Sequence, residues 1–353
     1  MIQVSSDILS LTSEALILSR AGKISFANAP AKEILGADCV NKSLKYFFEP
    51  GIIGSQASSF IADTIVRGKH YIVRVSKQTD MLVMFLTNPP AEPVLLNDAF
   101  IYSLRSALMT MSFSVDMCRS RAEAINDAGL QENIASLTKS YYQLSRLVSN
   151  VSVAQGVIRG EMSFTPVRLD LTECCINCVE GVEMFCKKPE IVVNAAPKMY
   201  VTADPMLVEQ VLLNLLSNSL VHGKGCTRIS ISLIDAGESV ILSVSDDGCG
   251  IESDMLHSVF DRYVHGFDMR GMSGGAGLGL TVGRGIAEKH GGTLLLESRP
   301  GRGTTVRISL RKNLKVPLNL RTNEGEYSGS AKSVLMGLAD YLPAECYADK
   351  YMD

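Results

Sequence analysis

Near the start of the chain the apolar residues fall in short runs. Ala15 to Leu18, Lys23 to Phe26, Tyr71 to Val75 and Met81 to Leu86 predict β-strands around a helical period at Ala29 to Leu35. Residues 1–90 therefore predict a small α+β unit. The stretch Asn88-Pro-Pro-Ala-Glu-Pro93 ends it, because consecutive prolines remove backbone donors and force the preceding residues out of the helical region. Beyond it the apolar period lengthens. From Leu95 to about Arg121, Phe100, Leu104, Leu108, Met111 and Val115 share one helix face; from Gln131 to about Val157, Ile134, Leu137, Tyr141, Leu144 and Val148 do the same. Asn126-Asp-Ala-Gly129 reads as the turn between them. Two amphipathic helices on a short loop cannot bury both stripes alone, so residues 94–160 predict a hairpin that completes a four-helix bundle with a second copy, a homodimer.

A third pattern covers residues 165–312. Leu171, Cys175, Cys178, Val182, Phe185 and Cys186 recur at helical spacing, which reads as thiols packed as small hydrophobes on a buried face. Asp204 to Gly223 is an apolar helix carrying Asn214 and Asn218 four residues apart, hence on one face. Two stacked amides in such a helix need a polar object to address. A strand-like run, Val240 to Val244, leads into Asp246-Asp-Gly-Cys-Gly-Ile251, and a glycine-rich run follows at Gly274-Gly-Ala-Gly-Leu-Gly-Leu280. Residues 313–353 are polar apart from Val334, Leu335, Leu338 and Tyr341, which fit docking on this chain or on a partner equally well.

Composition narrows the options. The chain has 353 residues, 46% of them hydrophobic, and a formal net charge of −3 without a long basic run, so neither nucleic acid nor an anionic membrane surface is an expected ligand. No apolar stretch reaches the ~18 residues that a membrane-spanning helix needs, and no basic segment precedes an apolar core at the N-terminus, so the expected location is the cytoplasm. The nine cysteines are read as thiols in that compartment. Cys174, Cys175, Cys178 and Cys186 lack a nearby histidine to complete a tetrahedral metal site.

The run from Glu14 to Gly36, strand, glycine turn, strand and an Asn leading into a helix, resembles the opening of a PAS sensor domain. No cysteine or histidine is positioned there for flavin or haem, which favours an interaction module without a cofactor. The later segments resemble the sensor histidine kinase family. Asp204 to Gly223 is similar to its N box; the resemblance implies that Asn218 holds a Mg²⁺ bridging the nucleotide phosphates, with Asn214 one turn earlier, while His222 is read from its place in the run either as a nucleotide contact or as a packed, satisfied histidine. Asp246 to Ile251 resembles the G1 box, implying that Asp246 accepts from the adenine amino group while Gly248 and Gly250 allow close backbone approach. Val259-Phe-Asp-Arg-Tyr263 resembles the F box, with Phe260 under the lid and Arg262 a phosphate contact. Gly274 to Leu280 resembles the G2 box, in which Gly275, Gly277, Leu278 and Gly279 open a helix whose amides cradle phosphates. Ile286 to Gly292 and Ser298 to Thr305 match the family's closing helix and hairpin, with His290 structural. The implied ligand is Mg-ATP and the implied fold is the Bergerat-type layered α/β sandwich shared with Hsp90 and MutL, so the whole chain is expected to be a multidomain α+β protein.

Two positions depart from the family. Where the hairpin should read like His-Glu-Leu-Arg-Thr-Pro-Leu, this chain has Tyr102-Ser-Leu-Arg-Ser-Ala-Leu108, so Tyr102 stands at the phosphoacceptor position, Ser103 replaces the acidic residue and Ala107 the proline. The histidines are His70, His222, His257, His265 and His290, none of them between Leu95 and Val157. A tyrosine hydroxyl, with a pKa near ~10, is a weak nucleophile without a base. Val221 replaces a basic residue that faces the phosphates in many relatives. Three functions follow: an ATP-binding sensor kinase homologue that has lost self-phosphorylation on histidine; a scaffold pairing with a true kinase or a response regulator; and a protein serine kinase resembling anti-sigma factors, which would carry Glu where Asn214 stands.

Overall fold

The structure is a computed structural model that describes residues 14–54, 59–78, 81–87, 98–125, 127–252, 278–314 and 329–348. The N-terminal unit is a five-stranded antiparallel array of β1 (Ala15–Arg20), β2 (Lys23–Ala27), β3 (Ser59–Val66), β4 (Lys69–Gln78) and β5 (Met81–Thr87), in the order β2-β1-β5-β4-β3. Helix α1 (Ala29–Leu35) starts where expected: the Asn28 side chain accepts from the Ala31 amide and from the Leu16 amide, tying the helix start to β1. A short α2 (Pro50–Gly54) follows. The alternating residues Ala15, Ile17, Phe60, Ala62, Val73, Val75, Met84 and Leu86 form its core. Strand β3 was not legible as a strand in the sequence.

Helices α3 (Asp98–Ile125) and α4 (Ala128–Arg159) form an antiparallel pair, Ile101 meeting Val151 at one end and the Arg119 guanidinium meeting the Thr138 hydroxyl at the other. Asp127 caps α4 through the Leu130 amide, so Ala128 and Gly129 lie inside the helix, not in the expected turn. The face of α3 agrees with expectation in part. Leu104, Leu108 and Val115 are half-buried alongside the buried Ile101 and Ala122, whereas Phe100 and Met111 are exposed together with Met109, Phe113 and Met117.

The remaining elements are β6 (Val167–Asp170), α5 (Leu171–Glu183), β7 (Glu190–Asn194), β8 (Tyr200–Ala203), α6 (Pro205–His222), β9 (Arg228–Asp235), β10 (Ser239–Asp246), α7 (Leu278–Lys289), β11 (Leu294–Ser298), β12 (Thr304–Arg311) and α8 (Ala331–Gly337). Strands β11-β12-β10-β9-β7 form a sheet, antiparallel except for the parallel β7–β9 pair, with α5, α6 and α7 packed on it. Cys174, Cys175 and Cys178 are buried on α5 as expected, and burial pushes the Cys175 and Cys178 thiols well up, which disfavours thiolate.

Two features tie the parts together. Edge strand β3 pairs with β11 (Ala62 opposite Leu295, Ile61 opposite Leu296, Phe60 opposite Glu297), making one ten-stranded sheet of what the sequence presents as two units. In addition, the segment 329–348 sinks Val334, Leu335, Leu338, Leu342 and Tyr347 into the main core, so among the described residues this segment belongs with α4, α5 and α6. No helix among the described residues is long and apolar enough to cross a membrane.

Candidate functional site

Helix α6 is the spine of the site. Asp204 starts it by accepting from the Met206 and Leu207 amides, with Pro205 at the first helical position. The other Asp204 oxygen accepts from the Thr165 amide and hydroxyl, and the Asp204 amide donates to Nε2 of His290 at 3.0 Å. His290 is fully buried and its Nδ1 donates to the Ile286 carbonyl at 2.7 Å, so the imidazole is neutral and structural, as expected, with burial lowering its pKa. Because α6 is apolar almost all round, the middle of the helix is enclosed, with Val208, Val211, Leu212 and Leu216 fully buried.

The two asparagines are not equivalent. Asn214 is buried; its Oδ1 accepts from Arg146 Nη2 at 3.4 Å and its Nδ2 donates to Asn150 Oδ1 at 3.5 Å, both partners on α4. Asn218 is half-buried and makes no side-chain hydrogen bond among the described residues. A β-carbon added at Gly279, in the first turn of α7, would lie 3.6 Å from Asn218 Nδ2 and 3.8 Å from Asn214 Cβ. Thus the first turn of α7 lies over the asparagine face, and Leu278 beside it packs against Ile101 and Val151.

At the end of β10, adjacent carboxylates are driven in opposite directions. Burial raises the pKa of Asp246, whose Oδ1 accepts from the amides of Gly248 at 3.0 Å and Thr304 at 3.3 Å, while among the described residues Oδ2 has only the Ser219 hydroxyl at 3.3 Å. Asp247 is held well below the usual carboxylate range by the Thr227 hydroxyl and the Arg228 and Thr227 amides, and serves to pin the start of β9. A carboxylate has about four acceptor sites, so Oδ2 of Asp246 keeps capacity for a further donor such as an aromatic amino group. Ser219 follows Asn218 directly, so α6 presents the Asn218 amide and the partner of the buried carboxylate on consecutive residues.

The glycines between need a different account from the expected one. A Cβ at Gly248 would fall 2.7 Å from the Gly223 Cα, and at Gly250, with φ +67°, 2.0 Å from the Arg299 carbonyl oxygen. Protein backbone fills both spaces, so these glycines shape the loop behind Asp246; they do not open it to a ligand. His222 is exposed and so is Val221, at 37%. Phe260, Arg262, Gly275 and Gly277 lie outside the described residues. Tyr102 is 75% exposed on α3.

Sequence reasoning missed Ser219 and Thr304, which hold Asp246, and Arg146, Asn150 and Gln210, which engage the asparagine face. Helix α4 carries polar residues along its whole length, so nothing local set Arg146 or Asn150 apart; for Ser219 and Thr304 likewise there was no signal short of the fold.

The model of the histidine kinase-, DNA gyrase B- and HSP90-like ATPase family matches residues 203–314. The sensor protein KdpD of Clostridium acetobutylicum is 26% identical over 218 residues, 60% of this chain and 24% of that protein. The sensor-like histidine kinase SenX3 of Mycobacterium tuberculosis is 33% identical over 122 residues, 34% of this chain and 30% of that one. The chain thus spans about a quarter of the length of the first of these curated relatives. Among solved structures, the Acinetobacter baumannii histidine kinase AdeS superposes with a TM-score of 0.42 at 18% identity, over 59% of this chain and 98% of that chain. Full-length ShkA in complex with AMPPNP gives a TM-score of 0.46 at 19% identity, over 62% and 47%. Residues 203–314 thus carry a domain of the histidine kinase-, DNA gyrase B- and HSP90-like ATPase family, and the chain is similar to sensor histidine kinases over about 60% of its length.

Proposed function

We propose that this protein binds Mg-ATP and acts in two-component-type signalling without phosphorylating itself on the usual histidine. The observation that carries this is that one helix holds Asn218, without a side-chain partner among the described residues and beneath Gly279, next to Ser219, whose hydroxyl reaches the buried Asp246. The residues fit the ligand: an amide oxygen is a hard donor suited to Mg²⁺, which keeps few protein ligands and uses substrate phosphates. Asp246 would receive the adenine amino group, and the first turn of α7 would face the phosphates. Calorimetry with Mg-ATP tests the reading: the wild type should bind, while Asp246→Asn and Asn218→Ala should each lose about tenfold or more, the scale of a charge-assisted hydrogen bond or cation ligand. Absence of any heat or thermal shift with adenine nucleotides plus magnesium would remove it.

Residues 1–90 serve in this reading as a PAS-like input module, and α3 with α4 as the dimerisation hairpin. The exposed Met109, Phe113 and Met117 give α3 a second apolar stripe besides the one that faces α4, and a second copy would cover it. With Tyr102 at the acceptor position, output passes through nucleotide-dependent conformation or through a partner response regulator or kinase. Acid-labile phosphate on this chain after incubation with labelled ATP would contradict the loss of self-phosphorylation. The exposed Val221, where a cation would face the phosphates, favours one alternative, a scaffold that never turns over ATP. Micromolar Mg-ATP binding together with measurable hydrolysis would exclude that alternative.

A further inference from the structure

Arg146 belongs to none of the nucleotide-binding motifs, yet it joins three parts of the molecule. Its side chain is 11% exposed. Nη1 donates to Asp340 Oδ2 at 2.7 Å and to Ser217 Oγ at 3.0 Å, and Nη2 donates to Asn214 Oδ1 at 3.4 Å. Asp340 lies in the segment 329–348, which is anchored at both ends. Glu209 of α6 accepts from the Gly329 amide at 2.8 Å and the Ser333 hydroxyl at 2.6 Å, while the buried Tyr347 ring rests 5.6 Å from that of Tyr142 on α4. Asp340 is therefore delivered to Arg146 by a docked segment.

A guanidinium only donates hydrogen bonds. Facing Asn214, it fixes the amide with Oδ1 toward α4 and Nδ2 toward Asn150, which also accepts from Gln210 at 3.1 Å. Taking such a group out of water is unfavourable unless an anion accompanies it, and Asp340 is the anion. Without it the guanidinium keeps only neutral acceptors among the described residues, and the half-exposed side of the pair, where the Asp340 side chain is 38% accessible, offers a way into solvent. Asn214 and Ser217 would then lose their donor one helical turn or less from Asn218, under Gly279.

We propose that Arg146, with Asp340 as its counter-ion, is a positioning residue of the nucleotide site: it locks α6 to α4 through Asn214, so that docking of the C-terminal segment supports nucleotide binding at Asn218. The proposal rests on the nucleotide reading above. By thermodynamic linkage the effect is reciprocal, so bound nucleotide strengthens the docking of segment 329–348.

The test uses the full chain with Mg-ATP as the probe. Asp340→Asn and Arg146→Gln should each weaken binding by about tenfold, within the usual range of coupling between sites. The double variant should be no weaker than either single one, and Asp340→Glu, which keeps the carboxylate, should bind close to wild type. Without nucleotide, Asp340→Asn should raise amide exchange over residues 210–218 and leave α5 unchanged, which separates a released joint from general loosening. Unchanged or tighter binding in Asp340→Asn, additive losses in the double variant, or unchanged exchange over 210–218 would each overturn the proposal alone, with the nucleotide reading intact. A wild-type chain that bound no adenine nucleotide would remove both together.

Discussion

His290 illustrates how one buried side chain sets a pH response. Its pKa is lowered by burial, and the neutral ring both accepts from the Asp204 amide and donates to the Ile286 carbonyl. The unfolded chain, with an ordinary histidine pKa near ~6.5, therefore binds protons that the native state refuses. The contribution is complete above that value and is lost as the pH falls through it toward the folded value. Asp246 and Glu209 act with the opposite sign, since burial raises both carboxyls and the native state holds their protons more tightly. We expect the thermal midpoint to fall between pH 7 and pH 5 more steeply in the wild type than in His290→Gln, a difference that isolates the imidazole. Parallel curves would contradict this. At pH 7 the variant should be less stable by about 1–3 kcal/mol, the cost of an unsatisfied buried amide.

Between elements, the close contact of α4 with α7 depends on a missing side chain. A Cβ at Gly285 would lie 2.2 Å from Val157 Cγ2 and 2.9 Å from Val157 Cβ, and a β-branched valine has little freedom to give way. Gly285→Ala should lower stability by about 1–3 kcal/mol through overpacking, read in chemical denaturation. Val157→Ala in the same chain should restore part of the loss. On the opposite side of the hairpin the concern is an uncovered surface. If a second copy covers α3, Phe113→Glu should shift the mass seen by light scattering from dimer to monomer while leaving the α-helical circular dichroism unchanged. A wild type that is monomeric at micromolar concentration would exclude the four-helix bundle.

Across the molecule, two long-range joins decide the architecture. Segment 329–348 contributes Val334, Leu335, Leu338 and Leu342 to the main core, all at 0–1% exposure. Burying each such side chain is worth about 1.5–3 kcal/mol, a sum comparable to the ~5–15 kcal/mol that stabilises an ordinary domain. A chain ending at Leu314 should accordingly be trapped in inclusion bodies or melt far below the full chain, which a soluble, cooperatively folding truncation would refute. The second join, β3 to β11, makes the N-terminal unit an edge cover for the ATPase sheet and buries Ile61 and Ile72 against its core. An uncovered β11 edge would expose unpaired backbone donors and acceptors.

How much of this was legible in the chain follows from the range of the forces involved. Local signals were sufficient for α1, whose span matches its apolar period and Asn28 cap, for β1, β2, β4, β5 and β10, and for the cysteine face of α5. The chemistry of Asn214, Asn218 and Asp246 was also readable, because the residue types and their spacing carry it. What the sequence could not decide was which asparagine stays free, since that depends on Arg146 and Asn150 arriving from a helix some 64 to 68 residues away. Nor could it separate Asp246 from Asp247 by environment, or show that segment 329–348 belongs to the core. Apolar period and capping act over a few residues and survive in a one-dimensional text. Burial, counter-ions and edge pairing arise only when distant segments meet, and only the tertiary structure brings them together.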